Sequence, residues 1–195
     1  IAPFLSFASS DTRSGDPHDK SGEAFKVLII NVLQQNEHTD LVLERIKHSN
    51  ADIVFLSETN QRWADAMAVI KESYPSNYEL PLEECNGLLF YSRFPLVNVA
   101  ERYLSQDHIP SLTIDFDLPN GKRARLYAIH PRPPRPEDGV ENLDHELGVI
   151  ADEIRQLDCP AMVTGDFNEV CWSPAIKSFR EACGLRDPRK GRGLF

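Results

Sequence analysis

The stretch Ala161-Met-Val-Thr-Gly-Asp-Phe-Asn168 decides the fold. Ala161–Thr164 is a short apolar run with the character of a buried strand, and it passes directly into Gly165, Asp166 and Asn168. A buried strand gains no stability by ending in a carboxylate and an amide. Either these residues form a turn, which both types favour, or they are held there for chemistry. Working outward, the pattern repeats. Phe25–Leu33 (FKVLIINVL) reads as a buried strand carrying Asn31, Ile53–Ser57 (IVFLS) is followed at once by Glu58, and Arg123–Ile129 is followed by His130. Strand ends on one edge of a sheet gather in space, so polar groups there can converge on one ligand.

The intervening segments supply helices and further strands. Thr39 reads as the cap of a helix carrying Leu41, Leu43 and Ile46. Asn60–Tyr74 carries Trp63, Met67 and Ile70 at helical spacing and stops before Pro75. Gly87–Ser92, Leu96–Tyr103 and Ser111–Leu118 read as consecutive strands, and Asn120-Gly121 signals a hairpin into Arg123–Ile129. Leu143, Leu147, Ile150, Ile154 and Leu157 form one apolar helical stripe, and a last helix around Ala175–Ala182 ends at Gly184. The reading is one α/β domain over residues 23–195, helices outside β-sheet layers, preceded by an N-terminal flank over residues 1–22.

Composition bounds the function. At 195 residues, 41% hydrophobic and 26% charged, the chain has the make-up of a globular domain. A net charge of −9 excludes a protein that holds nucleic acid by bulk positive charge, but not an enzyme that meets phosphate through a metal ion. The four cysteines form no C-x-x-C pair, which argues against zinc, and their number does not decide whether they form disulfides. Ile1–Phe7 is mostly apolar and Ser9–Ser21 is polar, an order compatible with the end of a membrane helix plus linker or with a plain terminal tail.

One Glu, one Asp, two Asn and one His at strand ends suit a specific chemistry. A hard cation such as Mg²⁺ takes carboxylate and carbonyl oxygens and keeps water or substrate phosphate as its other ligands. Amide and imidazole donors suit phosphate oxygens and the attacking water. The set fits metal-assisted hydrolysis of a phosphate ester.

These residues carry a resemblance. Gly165-Asp166-Phe167-Asn168 resembles the G-D-x-N signature of the endonuclease/exonuclease/phosphatase superfamily, the deoxyribonuclease I-like fold. Ile30-Asn31-Val32 is similar to its first motif, Leu56-Ser57-Glu58-Thr59 to its L-Q-E segment with Ser57 in place of Gln, and Ile129-His130-Pro131 to its histidine motif. The resemblance implies a two-sheet, four-layer α/β sandwich and a metal-dependent phosphoesterase acting by direct attack of water. Glu58 is then the principal ligand of Mg²⁺, or of Mn²⁺ as the alternative ion, with Asn31 assisting. Asp166 orients or deprotonates the water, Asn168 holds a phosphate oxygen and His130 stabilises developing charge. Asn86 stands where many relatives place a Glu that orients this histidine. Arg132, in the loop Pro131–Asp138, and Trp172 are substrate-side candidates. The implied substrate is a phosphate ester of a nucleic acid, lipid headgroup or small molecule, and the implied state is a monomer.

Two features depart from or extend the pattern. The family closes with a strand carrying an Asp-His pair, and the sequence to Phe195 contains none after Gly165, so the expected fold is C-terminally incomplete and its activity weak. Asp144-His145 precedes Gly165 inside the amphipathic helix and reads as a solvated face. A non-catalytic phosphate- or partner-binding domain of the same fold is the alternative function. Cys171-Trp172-Ser173-Pro174 and Gly191-Arg192-Gly193 resemble a bacterial branch whose catalytic domain often follows membrane helices. That implies an anchor upstream of Ile1 and a soluble, extracytoplasmic domain, with a cytoplasmic location as the alternative.

Overall fold

Every residue of Ile53–Ser57 is buried, as expected of β-branched and aromatic side chains with neighbours on both faces of a sheet. The computed structural model describes residues 4–8, 25–104, 108–133 and 141–187. Its strands are β1 (Phe4–Ala8), β2 (Val27–Asn31), β3 (Ile53–Ser57), β4 (Ser76–Leu80), β5 (Leu88–Ser92), β6 (Leu96–Arg102), β7 (Ser111–Asp117), β8 (Arg123–Ile129) and β9 (Ala161–Asp166). Its helices are α1 (Thr39–Ser49), α2 (Gln61–Met67), α3 (Glu141–Arg155) and α4 (Pro174–Cys183). They form a four-stranded sheet, β2-β3-β5-β4, and a five-stranded sheet, β1-β9-β8-β7-β6. The expected two-sheet α/β class holds, and parallel and antiparallel pairs occur in both sheets.

By contacts the chain divides into two compact units. One comprises Thr12–Ala100 and Ile114–Arg123. Here α1 and α2 cover one face of the four-stranded sheet, burying Val42, Ile46, Trp63 and Met67 against Val54, Leu56, Leu89 and Tyr91. Asn60 caps α2, accepting from the Trp63 N–H at 3.4 Å. The expected helix over Asn60–Tyr74 is shorter, giving way to a 3₁₀ turn at Ala68–Ile70. Thr39 is the first helical residue of α1 and not its cap; the cap position is His38, which makes no side-chain capping bond. β4 was not legible in SNYEL, which has no apolar run. It exists because its backbone pairs with β5 and because Tyr91 donates to Glu79 at 2.6 Å.

The other unit comprises Ile1–Asp11, Glu101–Thr113 and Ala124–Phe195. The predicted stripe of α3 packs as read: Leu147, Ile150 and Ile154 are buried with Tyr127, Ile129, Val163 and Phe167, and Leu143 and Leu157 flank them. Ser173 caps α4, accepting from the Ile176 N–H, and Gly184 closes it in the left-handed conformation. Within the stretch read as a flank, β1 pairs antiparallel with β9 from Phe4↔Asp166 to Ala8↔Met162. β9 thus lies between β8 and β1, and β1 forms the edge of this sheet. The Ser9–Ser21 stretch, Arg135 with Pro134–Asp138, and Gly191-Arg192-Gly193 lie outside the described residues. The four cysteines form no disulfide. No described helix is long and apolar enough to cross a membrane.

Candidate functional site

The first set of site residues lies at the ends of β2 and β3. These strands are parallel, with Asn31 in register with Ser57, so Asn31 and Glu58 leave the sheet side by side. Asn31 Nδ2 donates to Glu58 Oε1 at 2.5 Å, and Asn31 Oδ1 accepts from the Leu33 N–H at 3.0 Å. The amide therefore aims the carboxylate while the backbone turn aims the amide. Glu58 has φ 60, a left-handed conformation that costs a non-glycine residue on the order of 1–3 kcal/mol.

That strained turn is clamped from one side. Gly87 brings the loop before β5 so close that a Cβ there would lie 1.7 Å from the Thr59 carbonyl oxygen. The Thr59 N–H donates to the Gly87 carbonyl and the Leu82 N–H to the Thr59 carbonyl, both at 3.1 Å. Gln34 ties the same loop to the turn after β2, accepting from the Cys85 N–H and donating to Glu83, both at 2.8 Å. Asn86 sits half-buried in this clamped loop.

The second set lies at the ends of β8 and β9. Gly165 has φ +143, and a Cβ there would meet the Ile129 carbonyl oxygen at 1.8 Å, so the two strand ends approach as only glycine allows. Asp166 is fully buried, and its Oδ1 accepts from the Asn168 N–H at 3.0 Å. Asn168, at φ 49, donates through Nδ2 to the Pro131 carbonyl at 2.8 Å, next to His130, which is buried. The turn expected of Asp166 and Asn168 thus exists, and it is the device that holds both side chains. An amide nitrogen carries two hydrogens, so Asn168 has a second N–H beyond this bond. Trp172 is 66% exposed in the turn before α4, and Arg132 is half-buried two residues after His130. Asp144 and His145 are exposed on α3, as expected of a solvated face.

Backbone strain singles out the same loops. Among the described residues, six non-glycine residues have positive φ. Asn50 closes α1; Leu33, Glu58, Glu84, Cys85 and Asn168 all lie in loops that carry predicted site residues. Strain of this kind clusters where function requires it.

Sequence reasoning missed three features. Ser57 Oγ and Thr59 Oγ1, on either side of Glu58, are buried with no hydrogen-bond partner among the described residues. Gly87 carried no pattern to mark it. Glu146 is 3% exposed, and burial pushes its carboxyl up to about 7 although Ser111 opposes the shift. Its signal was present, because position 146 falls on the apolar stripe between Leu143 and Leu147.

No group of three or more His, Cys, Asp or Glu side chains forms a metal cage among the described residues. The donor set still fits a hard cation: one carboxylate and one amide side chain held side by side, with two buried hydroxyls, partnerless among the described residues, just before and after the carboxylate in sequence. Mg²⁺ is commonly held by one or two carboxylates plus water and substrate phosphate.

Mixed sheets with helices packed on them, and carboxylate, amide and imidazole groups at the strand ends, define an α/β protein whose polar residues gather where such folds bind ligands. The chain belongs to the endonuclease/exonuclease/phosphatase family, whose sequence profile matches residues 29–182. Members of that family hydrolyse phosphate esters and generally use divalent metals. Among solved structures, the human nocturnin catalytic domain with bound sulfate is similar at TM-score 0.67 and 18% identity, covering 82% of this chain and 70% of that one. Beta toxin from Staphylococcus aureus is similar at 0.66 and 16%, covering 84% and 73%. TDP2 from D. rerio, in complex with a single-strand DNA product, is similar at 0.67 and 14%, covering 80% and 64%. The chain spans less than two thirds of that structure and of TDP2 from Caenorhabditis elegans. At these identities the likeness establishes the fold. No curated protein matches in sequence.

Proposed function

We propose that this chain is a divalent-metal-dependent phosphoesterase that hydrolyses its substrate by direct attack of water. The observation that carries the reading is the Asn31–Glu58 bond of 2.5 Å, which fixes a carboxylate on a strained, clamped turn. Stability alone gives no reason to hold a carboxylate this way. In this reading Glu58 and Asn31 hold Mg²⁺ or Mn²⁺, and the ion, when bound, polarises the phosphoryl group. Asp166, buried and oriented by its turn, positions the attacking water and takes its proton. Asn168 directs its remaining amide N–H at a phosphate oxygen. His130 donates to the phosphate as negative charge grows in the transition state.

A phosphodiester is the first substrate to test, since D. rerio TDP2 was solved with a single-strand DNA product. On bis-p-nitrophenyl phosphate with Mg²⁺, Asp166→Asn should lower kcat by ~10²-fold or more, with a smaller change in KM. Full activity in that variant would leave Asp166 as a turn residue and defeat the assignment.

A further inference from the structure

Arg132 has an unusual partner. Its Nη2 lies 2.8 Å from His108 Nε2, and among the described residues it makes no ion pair with a carboxylate. A guanidinium only donates, so His108 Nε2 must accept, which places the ring proton on Nδ1. The pair therefore presents nothing but donors: the remaining guanidinium N–H groups and the imidazole Nδ1–H. In a chain of net charge −9, a half-buried arginine that among the described residues is hydrogen-bonded to a histidine and not to an acid is suited to an anion from outside.

The backbone holds both partners in place. Arg132 lies between Pro131 and Pro133; the second proline confines it to extended backbone, and Asn168 anchors the Pro131 carbonyl. His108 is exposed, but the next residue, Ile109, is buried on the way into β7. Little backbone freedom of Arg132 remains to be lost when a ligand arrives. The pair also adjoins the residues assigned to the reacting phosphate, since His130 and Asn168 flank the same Pro131.

We propose that Arg132 and His108 form an anion-binding subsite for a second, non-reacting phosphate of the substrate. The proposal rests on the phosphoesterase reading and narrows its substrate class to esters carrying at least two phosphates. The second phosphate can come from a nucleic-acid backbone or from a phosphorylated headgroup, and paired probes separate the two. One pair is the thymidine dinucleotide TpT and its terminally phosphorylated form pTpT. The other is glycerophosphoinositol and its ring-phosphorylated form.

Binding is read by NMR titration of the Arg132 and His108 side-chain resonances in metal-free protein, so no turnover is needed. In at least one pair the additional phosphate should tighten binding about tenfold, the scale of one charge-assisted contact. The pair that shows the gain identifies the source. Arg132→Gln and His108→Gln should each bring the ratio within a pair close to one, while Arg132→Lys retains part of it because it keeps the charge but loses the fork. The proposal is overturned if neither pair shows a gain, or if the gain survives in both glutamine variants. Wild-type protein that binds pTpT through Arg132 but hydrolyses no ester defeats only the phosphoesterase reading. Hydrolysis with no gain from the second phosphate defeats only the subsite.

Discussion

Glu58 and Glu146 are two carboxylates in opposite surroundings. Glu58 is half-buried and receives the Asn31 amide, and its sequence neighbours Ser57 and Thr59 carry buried hydroxyls. Glu58→Gln keeps an oxygen for Asn31 but removes the charge. The variant should fold and lose Mg²⁺ binding in calorimetric titration; an unchanged affinity would end the assignment of Glu58 as ligand. Glu146 is packed into the apolar stripe of α3, and desolvation raises its carboxyl from 4.5 to about 7. A folded state that holds its proton more tightly than the unfolded chain is favoured at low pH, and this contribution disappears as pH rises from about 4.5 to about 7. Wild-type Tm should therefore decline over that window because of Glu146. Glu146→Gln should flatten this part of the profile and have the higher Tm at pH 8. Parallel melting curves for the two proteins would show that Glu146 is not the source.

At the scale of elements, the glycines test whether close strand approach or plain flexibility explains the site. Gly165 is the last residue of β9 before Asp166, and its absent side chain is what admits the Ile129 carbonyl. Gly165→Ala adds an atom against backbone at an unfavourable φ and should cost ~3 kcal/mol or more. For a chain of this size that is a fall in Tm of ~6–12 °C. Gly148 lies on the exposed side of α3 with open space around it, so Gly148→Ala should stabilise by ~0.5–1 kcal/mol through helix propensity. Opposite signs in thermal unfolding support the approach argument, and a neutral Gly165→Ala would refute it. The same contrast explains what the sequence disclosed. β3, β8 and the stripe of α3 are written in local apolar patterns, and Asn31, Glu58, His130, Asp166 and Asn168 were conspicuous as polar endings to such patterns. β4 depends on its partner strand, the Gly87 clamp on a carbonyl 28 positions upstream, and the Arg132–His108 pair on residues 24 apart. None of these leaves a trace in local periodicity.

For the molecule as a whole, the charge of −9 sets how an anionic substrate approaches. Distant carboxylates repel it, while in the proposed reading attraction comes from a few contacts such as Arg132 and a metal ion, when bound. These two effects have different ranges. Between about 0.01 and 0.15 M salt the Debye length falls from ~30 to ~8 Å, so the diffuse repulsion is screened first and contacts of a few ångströms persist. A protein that gathers nucleic acid with a basic face behaves the other way, losing ~10³–10⁵ in affinity between about 50 and 200 mM salt when it makes six to ten phosphate contacts. With a short single-stranded oligonucleotide as substrate, kcat/KM should stay level or rise across this range. With the monoanionic bis-p-nitrophenyl phosphate it should hardly change, because one charge feels the long-range field far less than many. A tenfold or greater fall for the oligonucleotide alone would mean that many basic side chains contact the substrate. That would contradict recognition through the few donors at the ends of β8 and β9.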